Sequence, residues 1–179
     1  MYVAGRLHEE YRMQLLIIRH AIAMEREEYA KTGRPDSDRP LTDTGRRRMR
    51  KNARGLQRIS PHPDLIATSP WLRAADTARV IVETLGVERM ETVDAMIPDR
   101  PFSELADWLN EHGDVPTIAV VGHEPHLGEL VTWLLGGRGS CVEFKKGAAC
   151  LLRIDDKVGA GSAILLWHTQ PAQLRALAD

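Results

Sequence analysis

The chain has 179 residues, 43% of them apolar and 27% charged, a globular composition that excludes a disordered chain. Lys and Arg number 24 against 25 Asp and Glu, so the formal net charge is −1 and no cationic surplus supports general nucleic-acid binding. No apolar run approaches the roughly 18 residues of a membrane-spanning helix. The two cysteines, Cys141 and Cys150, are too few for a disulfide scaffold and read as reduced thiols of a cytoplasmic protein.

The first twelve residues, "MYVAGRLHEEYR", lack the apolar centre of a signal peptide and read as a polar extension, with residues 13–179 forming a single domain. Met13 can serve as an alternative start. Leu15–Ile18 is the short apolar run of a strand buried on both faces, and it ends at once in Arg19 and His20. Residues 25–39 are polar and read as a long loop. The stretch "LTDTGRRRMRKNARGL" opens on a Thr/Asp N-cap signal and continues as a basic helix to about Leu56. "DLIATS" is a second strand. The helix after it has Pro70 at its expected start and Gly86 at its stop. A weaker strand is expected near residues 91–93 and a helix over 102–111. "TIAVVGH" is a third strong strand, followed by a helix through "HLGELVTWLLGG". "ACLLRID" and "SAILLWHT", separated by "DKVGAG", form a hairpin, and a short helix follows Pro171.

Strands alternating with helices predict an α/β fold with a mostly parallel central sheet, helices on both faces and an antiparallel edge strand from the late hairpin. Ligands of such sheets bind beyond the carboxyl ends of the strands. Those ends carry Arg19 and His20, then Arg73 in "TSPWLRAADTA", then His123 in "GHEPH". One histidine at a strand end is usually structural. Cations delivered by three separate strands are harder to assign to packing, because a buried cation without an anion costs several kcal/mol. Phosphate suits bidentate guanidinium groups.

"RHA", "SPWLRAADTA" and "VVGHEP" together resemble the histidine phosphatase superfamily, with Ala21 where its Arg-His-Gly motif has glycine. The short chain, "DRPLTDTG" and the lack of a large cap insertion are most similar to the SixA-type phosphohistidine phosphatase branch. The resemblance implies a three-layer, phosphoglycerate mutase-like sandwich and a hydrolase that needs no cofactor or metal. It implies that His20 attacks phosphorus and becomes phosphorylated, while Arg19, Arg73 and His123 hold the phosphoryl oxygens, His123 as an imidazolium once phosphate is bound. Arg39 either widens the positive rim or makes a surface pair with Asp38. Glu124 is a candidate proton donor or a solvent-facing residue, with Asp94 and Asp99 as alternatives. The implied partner is a phosphorylated protein, such as a histidine-phosphotransfer domain, or a small phosphoester.

Other features read more plainly. "HEPH" is not HExxH, because position 127 is Leu, and His126 is expected to cap or line the next helix. The run Arg46, Arg47, Arg48, Arg50, Lys51 reads as a solvated helix face, with docking of an acidic phosphoprotein as the lesser reading. The four tryptophans read as packing residues, Trp71 near enough to Arg73 to border the pocket. A non-catalytic phosphate-binding module is the competing function, and retention of His20 favours the enzyme. The chain is short for a phosphoglycerate mutase.

Overall fold

The computed structural model describes residues 11–178. Six strands form one sheet in the order β3-β2-β4-β1-β5-β6: β1 (Met13–Arg19), β2 (Leu65–Thr68), β3 (Met90–Thr92), β4 (Thr117–Gly122), β5 (Ala149–Ile154) and β6 (Ala163–Thr169). The strands β1 to β4 are parallel. The expected antiparallel edge is a hairpin, in which β5 runs against β1 and β6 returns beside β5. Residues 1–10 of the expected N-terminal extension lie outside the described residues. Arg12 is tied down, its guanidinium donating to Asn110 Oδ1 at 3.2 Å and to the Asn110 carbonyl at 3.0 Å.

The alternation of β1 divides the core in two. Met13, Leu15 and Ile17 pack with α4 (Phe102–Glu111) and α5 (His126–Leu134) on one face. Leu16 and Ile18 pack with α2 (Asp43–Ile59), α3 (Leu72–Leu85) and Leu174 of α6 (Pro171–Leu177) on the other. Both layers follow from the period-2 strand and the period-3.6 helix. The result is a three-layer α/β sandwich with the carboxyl ends of β1, β2 and β4 at one rim. Among the described residues, no helix is long and apolar enough to cross a membrane.

Local chemistry sets the boundaries. Thr42 caps α2, its hydroxyl accepting from the Gly45 amide at 2.9 Å. Gly45 also lets α2 dock on the loop that follows His20: a Cβ there would stand 2.0 Å from the Ile22 carbonyl oxygen. Gly86 stops α3 at φ 74°, a left-handed turn that glycine enters without strain. Two boundaries differ from expectation. Helix α3 starts at Leu72, two residues after Pro70. The predicted loop 25–39 contains a helix, α1 (Arg26–Ala30), and a 3-10 turn, Asp36–Asp38. Buried Tyr29 holds these together by donating to the Asp38 carbonyl at 2.8 Å, a contact that outweighs weak propensity in so polar a stretch.

Candidate active site

The end of β1 places His20 at 4% exposure, its amide bonded to the Gly122 carbonyl at 3.0 Å, which ties it to the end of β4. Its Nδ1 lies 2.7 Å from the Ala21 carbonyl, which can only accept. The ring proton therefore sits on Nδ1, and Nε2 carries the lone pair. Arg73 Nε donates toward that Nε2 at 3.3 Å. Burial pushes the His20 pKa down to about 3, the charges of Arg73, Arg19 and Arg39 add to that, and the Ala21 contact opposes it. The imidazole is neutral at physiological pH.

Arg73 occupies the first turn of α3, as expected, and is buried over the Trp71 ring, with Cζ 4.6 Å from the ring centroid. Asp36 fixes it twice: the Asp36 carbonyl accepts from Nη1 at 2.9 Å and Oδ2 faces Nη2 at 3.2 Å. Burial lowers the Arg73 pKa to about 10, partly offset by Asp36. Asp36 Oδ1 also accepts from Arg39 Nε at 2.7 Å. Burial would raise the Asp36 pKa, but the Arg39 hydrogen bond and the charges of Arg73, Arg39 and Arg26 bring it below the ordinary value. Arg39 is thus buried, with Nη1 donating to the Met24 carbonyl at 2.7 Å. The surface pair with Asp38 is corrected: the partner is Asp36, one turn earlier.

On the opposite side, Arg19 Nη1 donates to the Phe144 carbonyl at 2.5 Å. Its pKa is lowered by burial, against the opposing charges of Glu124 and Glu143. His123 is buried at the end of β4, its ring 5.3 Å from that of His20 and 5.0 Å from Trp71. Its Nε2 pairs with the Ser69 hydroxyl at 2.9 Å. Burial foremost, then His20 and the nearby arginines, brings its pKa to about 2, so without a phosphoryl group the ring is neutral. Glu124 is half-buried rather than solvent-facing. Burial raises its pKa to about 7, while Arg19 and the Phe144 and Gly128 amides pull it back.

Arg19 Nε, His123 Nδ1 and Glu124 Oε1 are each buried without a hydrogen-bond partner. Native proteins leave few such atoms, and these three belong to the residues at the ends of β1 and β4, His123 with its ring centroid 5.3 Å from that of His20. Asp94 opens a 3-10 turn after β3, and Asp99 takes a left-handed φ of 70°. His126 begins α5, bonds the Arg100 carbonyl at 3.0 Å and packs on Phe102, a structural histidine as expected. Among the described residues, no three His, Cys, Asp or Glu side chains group as a metal would require.

The profile of the histidine phosphatase superfamily (branch 1) matches residues 15–98, the segment that carries Arg19, His20 and Arg73. An uncharacterized protein of Picosynechococcus sp. is 32% identical over 88% of this chain and 91% of its own length. The phosphohistidine phosphatase SixA of Escherichia coli is 26% identical over 91% of this chain and 97% of its own. The chain belongs to the histidine phosphatase superfamily. A solved structure of the protein histidine phosphatase SixA with tungstate covers 90% of this chain and 99% of its own, at 25% identity and a TM-score of 0.78. The chain is accordingly a hydrolase acting on phosphoryl groups, similar to SixA over nearly its whole length.

Sequence reasoning passed over several parts of this superfamily site. Ser69 and Thr77 lie inside the quoted "SPWLRAADTA", but a side chain's partner is not visible in a motif. Thr77 accepts from the Ala21 amide at 3.0 Å and so braces the residue after His20. The Phe144 carbonyl and Asp36 lie 125 and 37 residues from the arginines they bind, with no local signal.

Proposed function

We propose that this phosphatase hydrolyses phosphohistidine in a protein, working in the cytoplasm with residues 13–179 as one catalytic domain. The observation that carries the reading is a buried, neutral His20 whose free Nε2 lies 3.3 Å from Arg73 Nε, with the ring of His123 5.3 Å away. The His20 lone pair on Nε2 attacks phosphorus, forming the P–N bond as the bond to the leaving group breaks. Arg73, alongside Nε2, and Arg19 take the equatorial oxygens, whose charge such groups stabilise. His123, neutral before binding, donates from Nδ1 or gains a proton against the arriving dianion. Arg39 acts through Asp36 and supplies charge to the rim. Water then cleaves the P–N bond, releasing phosphate and the neutral ring. A leaving imidazole carries its own proton, so this substrate asks little of a general acid. The likeness to SixA over nearly the whole chain supports the choice.

A small phosphomonoester is the second reading. The half-buried Glu124, with a pKa of about 7, favours it, because an alkoxide leaving group needs a proton.

The test is trapping. With a radiolabelled phosphohistidine protein, a rapid quench should place acid-labile, alkali-stable label on His20, and His20→Ala should neither trap label nor turn over. Label on another residue, or activity retained by His20→Ala, overturns the mechanism. Faster turnover of an alkyl phosphate than of the phosphohistidine protein selects the second reading.

A further inference from the structure

Next to the phosphoryl site lies a cleft of about 310 Å³ between α2, the loop before β5 and α6. Arg48, Lys145, Lys146 and Arg175 line it, together with Arg19 and Ala21 on either side of the nucleophile, and no Asp or Glu does. The fold builds this cleft deliberately. Buried Asn52 donates to the Gly147 carbonyl at 3.0 Å and accepts from Arg175 Nη1 at 3.4 Å, joining all three walls.

Its charges are largely uncompensated. Among the described residues, Arg48, Lys145 and Arg175 have no carboxylate within ion-pair distance; Glu25 comes within 3.9 Å of Lys146, and Glu124 and Glu143 both act on Arg19. The chain as a whole is almost neutral, so this concentration is segregation rather than surplus. Exposed Arg47 and Arg50 continue the positive surface along α2 beyond the cleft. A small anion would need only the cleft. Cations that run on past it fit an extended surface of opposite sign.

We propose that the α2–α6 cleft docks the acidic face of the phosphorylated protein substrate, holding it while its phosphohistidine reaches His20. This rests on the phosphohistidine reading. The role is binding: it should appear in KM for a protein substrate and be absent for a small one.

The experiment compares Arg48→Glu/Lys145→Glu/Arg175→Glu with the wild type on a phosphorylated acidic histidine-phosphotransfer domain and on p-nitrophenyl phosphate. A neutral pair, Arg48→Gln/Lys145→Gln, gives a milder version, and Arg58→Glu in the last turn of α2 is the control. The triple variant should raise KM for the protein about 10-fold or more, the scale of several lost charge contacts. Its kcat, and its kcat/KM for the small ester, should stay within about twofold, as should the control. The neutral pair should fall between, and added salt should narrow the gap. Unchanged KM in the triple variant, or equal losses on both substrates, overturns the docking surface while leaving the phosphohistidine reading intact. A wild type that hydrolyses the ester but not the phosphoprotein overturns both.

Discussion

Two arginines flank His20, and their carboxylate neighbours behave in opposite ways. Arg73 is held by Asp36 through a carbonyl and a carboxylate, and Asp36 stays ionised below the ordinary range because Arg39 and Arg26 also face it. Arg19 has Glu124, which burial pushes to a pKa of about 7. Asp36 lies in a partly buried turn, where desolvation is the largest single influence but the Arg39 hydrogen bond and three arginines together outweigh it. Glu124 sits deeper, with one arginine and an oxygen lacking any partner. The same residue pairing thus yields a fixed counterion on one side and a proton store on the other, and burial set against cation number decides which.

The sharpest break of that contrast is Arg73→Ala. It removes the cation beside the His20 lone pair and should lower kcat/KM by about 10²–10³, the cost of one preorganised donor at developing charge. Orthovanadate, as a five-coordinate mimic, should bind correspondingly worse; unchanged vanadate inhibition would remove Arg73 from the phosphoryl site.

Glu124→Gln tests the other side. For an alkyl phosphate the loss should be about 10²-fold, the scale of general acid catalysis, and much smaller for phosphohistidine. The wild type should lose alkyl-phosphate activity as pH rises through about 7, and the variant should lack that limb. A carboxyl whose folded pKa exceeds its ordinary 4.5 favours the fold below 4.5 and loses that contribution as pH rises through about 7. The wild-type Tm should therefore drop between these pH values relative to Glu124→Gln. Equal losses on both substrates would turn attention to Asp94 or Asp99.

Asp36→Asn should be mildest, about tenfold in kcat/KM. It keeps the carbonyl that holds Arg73 Nη1 and removes only the charge. Because the Asp36 pKa is lowered in the fold, its contribution to stability is present above the ordinary 3.8 and fades as pH falls through the folded value. The variant should lack that part of the acid destabilisation, measurable by thermal melts below pH 5 or so.

What the sequence discloses follows chain locality. Strands β1, β2 and β4 are unbroken apolar runs, and the residues directly after them can be named in advance. The structure accordingly brings Arg19, His20, Arg73 and His123 to one rim. Asp36 could not be found that way, since nothing in "PDSDRP" marks an acid reaching a helix 37 residues on. Glu124 was visible as a candidate, but its burial depends on Gly128 and Phe144 and has no signature in "GHEP". The basic run of α2 was legible as charge. Its meeting with Lys145, Lys146 and Arg175 is tertiary, made by packing α2 on α6.

Gly45 links these regions. With the Ile22 carbonyl 2.0 Å from where a side chain would begin, only glycine lets the first turn of α2 come this close to the loop after His20, and the Thr42 amide and hydroxyl donate to that same carbonyl at 3.0 and 3.2 Å. The wall of the cleft is thus bonded to the segment that carries the nucleophile. On the docking proposal, a protein seated on α2 would rest on a helix bonded two residues beyond His20, so that where it sits would bear on how its phosphoryl group is presented.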